Sequence, residues 1–328
     1  MLETHGRVTG QLVRTPVGFA QEADGALLIA AGGRDIDWAR NLLAQPVCSV
    51  TIGDETAPYV AVELDGEEHS HAVVSLIGPS ARERLGADVP PEREHSLVES
   101  GGRLYVAGGP TGALFVYNSR NARLIRAFDT GLRAPASFVN DVAVAAGGDV
   151  YATDSLRPVI YRVPASSLTR ASLDTSPPEV FLDLTGTPVS YGPGTNLNGI
   201  ALTRGDGALL VVQSNTGALY RVDLASKRVS EVPVDGGRRL QGGDGLLLRG
   251  RDLYVVRNER ERLVKVSLAP DLASGRVVET VRDRGFAYPT TLASAGGRLL
   301  VVNSQRDRLP RGARAPALPF TVSGVRRP

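Results

Sequence analysis

Several residue types are scarce in this chain, and each scarcity excludes a class of protein. Its 328 residues include one Cys, one Met and one Trp, and aromatic residues make up 5%. The single Cys48 cannot form an intrachain disulfide, which excludes a disulfide scaffold and gives no sign of an oxidising compartment. The longest apolar run, Ala26–Ala31, is far shorter than the roughly 20 residues of a membrane-spanning helix. We therefore expect no membrane partner, and the absence of a visible signal peptide favours a cytoplasmic location.

The charge is nearly balanced overall but unevenly distributed. The formal net charge is +2. Residues 1–94 carry 15 acidic and 7 basic side chains, a net charge of −8, whereas the remaining residues carry +10. All four histidines also lie within the first 95 residues. This change beside Pro90-Pro91 predicts a domain over 1–90, a linker over 91–97 and a second domain over 98–328.

The second predicted domain repeats a short apolar segment that usually begins with glycine. The copies are GGRLYVAGG, GGDVYATDS, DGALLVVQSN, RDLYVVRNE and GGRLLVVNS, starting at residues 101, 147, 206, 251 and 296. Further strand-like segments follow at 113–118, 158–163, 218–224 and 262–268, as hairpin partners would. A β-rich repeat of about 40 to 50 residues is typical of a β-propeller. The sequence thus predicts a mainly β chain with five recognisable blades, and the Pro- and Gly-rich segment 176–195 is predicted to be a surface loop.

Polar residues recur shortly before the repeated strands. The segments read FVNDV, NLNGI, GGDGL and YPTTL, at 138–142, 196–200, 242–246 and 288–292. Since the first strand of each propeller blade lines the central channel, we expect Asn140, Asn198 and Asp244 to converge at one channel mouth. One carboxylate and two amides offer oxygen ligands, which suit Ca²⁺, Mg²⁺ or Mn²⁺ better than zinc. Asn and Gly are also ordinary turn formers, and the spacing alone leaves that interpretation open.

The run VNDVAVAAGGDVYATDS, followed by NLNGIAL, VVQSNTGALYRVDL, GGDGLLLRGRDLYVV and YPTTLA, resembles the senescence marker protein/gluconolactonase/luciferin-regenerating enzyme family, especially its actinobacterial members. The resemblance implies a six-bladed type of propeller whose first blade is missing here. It implies that Asn198 and Asp244 are metal ligands and that Asn140 meets metal-bound water or substrate. The implied activity is lactone hydrolysis, in which the cation polarises the carbonyl and Asp244 can act as general base.

Two positions depart from the pattern of that family. Its first-blade glutamate has no clear counterpart, although Glu94 occupies the matching position before the first repeated strand. The surrounding PPEREHSLVE favours a solvated linker instead. Phe138 stands where the family has an arginine, two residues before Asn140. Whether the ring closes with five blades or with another segment stays open.

The first 90 residues show a different pattern. Strand-like segments lie at 12–21, 25–33, 48–54 and 58–66. Between them, DIDWARNLLAQP at 35–46 predicts a short helix ended by Pro46. A second helical segment, 66–86, contains His69 and His71. Their two-residue spacing puts them on different helix faces, which favours solvated side chains over metal ligands.

The segments GRVTGQLVRTPVGF, IAAGG and DWARNLLAQPVCSVTIGDE are similar to the deazaflavin-dependent nitroreductase family. This partial resemblance implies a small split β-barrel-like α+β domain that binds reduced deazaflavin. It implies cofactor contacts by Arg7, Thr9, Gly10, Arg14, Thr15 and Pro16. Arginine suits that role because its guanidinium pairs with phosphate oxygens bidentately. Family members usually also have a preceding helix and a C-terminal extension.

Three functions from different classes follow. The propeller resembles a metal-dependent hydrolase of a small-molecule lactone or ester, and the N-terminal part resembles a deazaflavin-dependent oxidoreductase. A non-catalytic binding or scaffold protein is the third, because propellers host many unrelated functions. The arginine-rich C-terminal tail lacks interleaved aromatic residues, which argues against nucleic-acid binding. The sequence specifies neither the substrate nor the oligomeric state.

Overall fold

The structure, a computed structural model, describes residues 1–15, 17, 20–21, 27–29, 37–52, 54–62, 97–119, 124–169, 172, 175–235, 239–295, 297–308 and 320–327. The chain divides into two compact units, which are described separately below. The first contains Met1–Pro90 and Ser119–Arg123, and the second contains Pro91–Asn118 and Leu124–Pro328. Strands dominate the described residues, so the predicted mainly β class is confirmed.

The first unit combines a four-stranded antiparallel sheet with one described helix. Its elements are β1 (Leu2–His5), β2 (Leu12–Thr15), β3 (Ala20–Gln21), β4 (Leu27–Leu28), α1 (Asp37–Ala44), β5 (Val47–Ile52) and β6 (Glu55–Val60). The sheet order is β2-β1-β5-β6, and β3 pairs with β4. Trp38 and Leu42, four residues apart on α1, pack against Leu2, Cys48 and Val50. One face of the sheet is thereby buried under the helix.

The elements predicted for this unit agree with the structure in part. The described helix α1 lies inside the predicted 35–46 segment, and Pro46 follows its end. The sequence analysis misses β1, because LETH contains only one strongly apolar residue. The predicted helix at 66–86, with His69 and His71, lies outside the described residues, as does Glu94. Within the described part of the chain, no helix has the length and apolar character needed to cross a membrane.

The second unit consists of five consecutive sheets, which we call blades I to V. Blade I contains β7 (Leu97–Ser100), β8 (Arg103–Ala107), β9 (Ala113–Asn118) and β10 (Leu124–Asp129). Blade II contains β11 (Val139–Val144), β12 (Val150–Asp154), β13 (Val159–Val163) and β15 (Glu179–Asp183), and blade III contains β16 (Leu197–Leu202), β17 (Ala208–Gln213), β18 (Ala218–Asp223) and β19 (Val229–Glu231). Blade IV contains β20 (Gly243–Arg249), β21 (Asp252–Arg257), β22 (Arg262–Leu268) and β23 (Gly275–Val281), and blade V contains β24 (Pro289–Ala295), β25 (Arg298–Asn303) and β26 (Thr321–Arg326). The short β14 (Thr175–Ser176) joins blade I in parallel, and 3-10 helices lie at Ala165–Leu168 and Arg306–Arg308. Sheets of sequential antiparallel strands confirm the predicted propeller blades.

The apolar cores of the second unit lie between neighbouring blades. In β17, Leu209 and Val211 belong to a cluster shared with blade II, whereas Leu210 and Val212 belong to one shared with blade IV. A strand buried on both faces requires an unbroken apolar run, which ALLVV provides. The first strands of successive blades, β11, β16, β20 and β24, also contact one another in turn. Their starting residues therefore lie at the same end of the unit.

The predicted surface loop over 176–195 is wrong in part. Residues Glu179–Asp183 form β15, the outer strand of blade II, which pairs with β13. Val180 and Phe181 supply the β-branched and aromatic side chains that favour a strand, and the flanking Pro and Gly residues obscure this signal. The residues after β15 do form a connection, which leads to β16 in blade III.

Candidate functional site

The first strands of blades II to V share an irregularity near their start. In β11, the pairing with β12 shifts register between Val139 and Val142, and equivalent shifts occur in β16, β20 and β24. The residues inside these shifts are Asn140-Asp141, Asn198-Gly199, Asp244-Gly245 and Thr290-Thr291. Each shift places two residues of the first strand opposite one residue of the second, which is a β-bulge. A bulge re-aims side chains away from the regular alternation. The three predicted cation ligands thus occupy one repeated position, the first residue of the bulge.

The first residue of each of these four bulges is buried. Asn140, Asn198, Asp244 and Thr290 are 4%, 1%, 6% and 8% exposed. Polar side chains this deeply buried require hydrogen-bond or ligand partners. Sequence reasoning missed Thr290, although YPTTL stands in the same aligned series and gave the signal. The described bulges therefore supply two amides, one carboxylate and one hydroxyl.

Glycine at the second bulge position lets the blades approach closely. A Cβ placed on Gly199 would overlap the backbone carbonyl oxygen of Asp244 in the next blade. A Cβ on Gly245 would come within 2.7 Å of the Thr291 Cα atom. The first strands of blades III, IV and V therefore run side by side at their bulges because neither position carries a side chain.

The side chain of Asn198 carries a buried acceptor oxygen that has no partner among the described residues. Its Oδ1 is inaccessible to solvent and accepts no hydrogen bond within the described part of the chain. Leaving a buried amide oxygen unpaired costs about 1–3 kcal/mol. The adjacent backbone is satisfied, since the Thr153 Oγ1 donates to the Asn198 carbonyl oxygen at 2.6 Å. The unpaired atom is therefore a single side-chain oxygen, of the type that a hard cation binds.

Neighbouring polar side chains hold the other two residues. The Asn258 Nδ2 donates to Asp244 Oδ2 at 3.2 Å, and Asn258 is itself held by the Glu259 backbone N–H, which donates to its Oδ1 at 2.7 Å. The Asn140 Nδ2 donates to the Ser155 Oγ at 2.7 Å. Because this bond uses the amide nitrogen of Asn140, its Oδ1 is the atom suited to a cation or substrate. Sequence reasoning missed Asn258 and Ser155, which both directly follow the second strand of their blades.

A second carboxylate near the bulges is structural. The Asp141 Oδ1 accepts a hydrogen bond from the Val142 backbone N–H at 2.7 Å, and its Oδ2 accepts one from the Ile200 N–H at 3.0 Å. Asp141 therefore ties blade II to blade III. Within the described residues, no group of three or more His, Cys, Asp or Glu is placed to hold a metal ion. Any cation at the bulges would depend on Asp244 together with amide and water oxygens, which suits Ca²⁺, Mg²⁺ or Mn²⁺ rather than zinc.

An arginine reaches the neighbourhood of Phe138 from a distant part of the sequence. Phe138 precedes β11 and stands at the position where the resembling family has an arginine. The Cζ of Arg306, which lies between β25 and β26 of blade V, is 5.8 Å from the centroid of the Phe138 ring, within the range of a cation–π contact. The sequence analysis could not anticipate this contact, because the two residues belong to different blades. A guanidinium thus lies near the ring of Phe138, although the local sequence has no arginine at that position.

In the first unit, the predicted deazaflavin residues lie on one hairpin. Arg7, Thr9 and Gly10 belong to the turn between β1 and β2, and Gly10 has φ +68°, which favours glycine. Arg14 and Thr15 lie on β2, and Pro16 lies outside the described residues. The local fold therefore brings the described members of the predicted set into one short segment.

The two strand residues of this set face opposite ways. Thr15 pairs with Leu2 on the face that packs against α1, whereas Arg14 pairs with Glu3 on the other face. Successive strand residues alternate between faces, so the described set is not gathered on one side of the sheet.

Both predicted phosphate-binding arginines form ion pairs. The Arg7 Nη1 lies 3.0 Å from Asp37 Oδ1, and it also donates to Asn41 Oδ1 at 3.3 Å. The Arg14 Nε lies 2.6 Å from Glu3 Oε1. The Asp37 and Arg14 side chains are 84% and 70% exposed, so these pairs contribute little stability.

The N-terminal sequence matches a known family. Residues 1–77 match the model of the F420H(2)-dependent quinone reductase family. F420 is a deazaflavin, so this match confirms the predicted resemblance of the N-terminal part to deazaflavin-dependent enzymes. No curated protein matches the chain.

Several solved structures are similar to the chain. A streptogramin B lyase is 14% identical, with 74% of this chain and 72% of that chain covered and a TM-score of 0.46. The PQQ-bound form of aldose sugar dehydrogenase from Streptomyces coelicolor is 13% identical, with 74% and 95% covered and a TM-score of 0.46. A luciferin-regenerating enzyme is 12% identical, with 72% and 91% covered and a TM-score of 0.41. Likeness at this level says nothing about activity, and the blade assignment depends on strand pairing alone.

Proposed function

We propose that the second unit is a metal-dependent hydrolase of the lactonase type, with a divalent cation held by Asn140, Asn198 and Asp244. The observation that carries this proposal is the buried Asn198 Oδ1, which accepts no hydrogen bond among the described residues. Cation binding would give that oxygen the partner it lacks. Bound Ca²⁺, Mg²⁺ or Mn²⁺ would act as a Lewis acid toward the carbonyl of a small lactone or ester.

Asp244 is the proposed general base. In the hydrolysis, the oxygen of a water molecule bonds to the carbonyl carbon while the Asp244 carboxylate takes a proton from that water. The bond between the carbonyl carbon and the ring oxygen then breaks, and the leaving oxygen receives the proton. Asn258 donates to Oδ2 of Asp244 and so orients the other carboxylate oxygen. Asn140, held through its Nδ2 by Ser155, would present its Oδ1 to the cation or substrate.

Lactone hydrolysis by the full chain tests this proposal. Acid release from a panel of γ- and δ-lactones is measured with Ca²⁺ or Mn²⁺ and again with EDTA. We expect hydrolysis only with the cation, and we expect Asp244→Ala to abolish it. Asp183→Ala, which removes an exposed carboxylate from the outer strand of blade II, is the matched control and should hydrolyse like the wild type. Equal activity of wild type and Asp244→Ala would contradict the proposal.

We also propose that the first unit binds a reduced deazaflavin, as the match of residues 1–77 supports. Arg7 is the proposed contact to its phosphate, because its ion-pair partner Asp37 is largely exposed and contributes little stability. Titration with F420, followed by quenching of the cofactor fluorescence, measures binding. Arg7→Gln should weaken it, whereas Arg251→Gln, in a turn of the second unit, should not. A flat titration of the wild type would refute this role. A non-catalytic binding or scaffold role follows if neither lactone hydrolysis nor deazaflavin binding is found.

A further inference from the structure

Blade IV places two arginines opposite each other beside the candidate cation site. Arg257 ends β21 and pairs across the hairpin with Arg262, which begins β22. On its other side, Arg257 pairs with Gly243, the residue directly before Asp244. Like charges directly opposite each other on antiparallel strands are destabilising. The arginine pair therefore works against the stability of this sheet at the end that carries the proposed catalytic carboxylate.

Arg257 and Arg262 are partly buried residues, and their guanidinium groups bind only backbone oxygens among the described residues. The Arg257 Nε donates to the Gln241 carbonyl oxygen at 2.9 Å, and the Arg262 Nη1 donates to the Glu261 carbonyl oxygen at 2.7 Å. Burial lowers the pKa of Arg257, and the positive charges of Arg260 and Arg262 lower it further. An anion bound beside the Arg257 guanidinium would oppose both the burial and the neighbouring positive charges, because it favours the charged form of Arg257.

The same turn contains carboxylates that do not neutralise the pair. Glu259 and Glu261 are exposed, and neither forms a salt bridge with Arg257 or Arg262. Exposed charges are screened by water, so they compete weakly for guanidinium groups that are partly removed from it.

The fold does not require arginines at these positions. The corresponding strand-end pairs are Gln213 with Ala218 in blade III and Asn303 with Thr321 in blade V. Blade III forms the same short hairpin with neutral side chains, and blade V pairs the same strand ends with neutral side chains across a longer connection. The arginine pair is therefore a property of blade IV alone among these three blades, and blade IV is the blade that carries Asp244.

We propose that Arg257 and Arg262 bind an oxyanion, either a carboxylate or a phosphate group, carried by the substrate of the adjacent site. This inference rests on the proposed hydrolase function. Each guanidinium has five N–H donors, and one backbone hydrogen bond leaves enough of them for bidentate pairing with an oxyanion. The substrate class is thus an anionic lactone or ester, with its charged group at Arg257 and its carbonyl toward Asp244.

Isothermal titration calorimetry of the full chain with inorganic phosphate, and separately with succinate, tests the anion site without any need for hydrolysis. We expect the wild type to bind at least one of these probes at low salt, and the tighter one identifies the group that the substrate carries. Arg257→Gln and Arg262→Gln should each weaken that binding about ten-fold or more. Arg276→Gln removes the same charge from an exposed position on β23 and should bind like the wild type. Equal binding by all four proteins, or no binding by the wild type, overturns the proposal.

A kinetic comparison separates this inference from the hydrolase proposal. For a lactone that carries a carboxylate, Arg257→Gln should raise the KM and Arg276→Gln should not. If Asp244→Ala abolishes hydrolysis while Arg257→Gln changes neither anion binding nor this KM, the anion site is refuted and the hydrolase stands. If Arg257→Gln and Arg262→Gln both abolish anion binding but no lactone is hydrolysed, the anion site stands and the hydrolase fails.

Discussion

Replacing Asn198 by Leu distinguishes a cation ligand from a turn former. The side chain is 1% exposed, and its Oδ1 has no partner among the described residues, at a cost of about 1–3 kcal/mol. Leu has the same branched arrangement of heavy atoms and no polar atom. Without a cation, we therefore expect the free energy of unfolding of Asn198→Leu to be unchanged or raised by up to about 2 kcal/mol.

The response to a cation should be the opposite. At a concentration of Ca²⁺ one hundred times its dissociation constant, the wild type should gain about 2.7 kcal/mol, whereas Asn198→Leu should gain nothing. For a unit of this size, that gain corresponds to a rise in Tm of about 5–10 °C. Urea denaturation and thermal melts followed by near-UV circular dichroism of the tyrosines, with EDTA or with Ca²⁺, measure both quantities. Fluorescence of the single Trp38 would report on the first unit instead.

Asn196→Leu is the matched control, since Asn196 is also buried but its amide is fully hydrogen-bonded. Its Nδ2 donates to the backbone oxygens of Ser155, Gly192 and Gly194, and its Oδ1 accepts from the backbone of Gly192 and from two side chains. We expect the free energy of unfolding of Asn196→Leu to be more than about 2 kcal/mol lower than that of the wild type, with or without a cation. If Asn198→Leu loses as much stability as Asn196→Leu, and the cation stabilises both variants, Asn198 is a turn former and the reasoning is refuted.

Three other substitutions test separate parts of the structure. Gly199→Ala should destabilise the protein by about 1–3 kcal/mol or more in urea denaturation, because its Cβ would overlap the neighbouring blade. Gly207→Ala, with open space around it, should change stability by less than about 0.5 kcal/mol. Equal effects of the two substitutions would contradict the close approach of blades III and IV at Gly199. Burial raises the pKa of Tyr117 to about 12. The free energy of unfolding should therefore be unaffected below about pH 10 and should fall by about 2–3 kcal/mol as the pH rises from about 10 to about 12. Tyr117→Phe should reduce this loss in alkaline denaturation, and an unchanged alkaline transition would refute the effect of Tyr117 burial. Asp37→Asn removes the ion pair of Arg7 and should strengthen F420 binding about two- to five-fold in the quenching titration. Weaker binding would show that the ion pair positions Arg7 for the cofactor.

The blades could be predicted from sequence because their strands are buried on both faces. The predicted 113–118 and 262–268 segments coincide with β9 and β22. Each is rich in β-branched, aromatic or long apolar side chains, and no helical spacing competes with the period of a strand. In contrast, β1 and β15 escape prediction because short or partly exposed strands carry few apolar residues, and their pairing partners are distant in sequence.

The candidate cation site could be predicted in residue type but not in its surroundings. Asn140, Asn198 and Asp244 stand at unequal distances before the repeated strands, because the hairpins that follow differ in length. Only the ladder register reveals that all three begin a bulge. The contacts of Asn258 and Arg306 depend on packing between distant segments, so they cannot be predicted from the local sequence. The local sequence also gives no sign that the Asn198 Oδ1 is buried without a partner among the described residues.

Anomalous diffraction from crystals grown with Mn²⁺ tests the central claim most directly, since it locates the ion without any substrate. The account predicts one strong peak at the bulges of blades II, III and IV, within about 2.6 Å of side-chain oxygens of Asn198 and Asp244 and next to Asn140. The same peak should be absent from crystals of Asp244→Ala. No peak at the bulges of the wild type, with the Asn198 Oδ1 paired to a protein donor or an ordinary water, would contradict it.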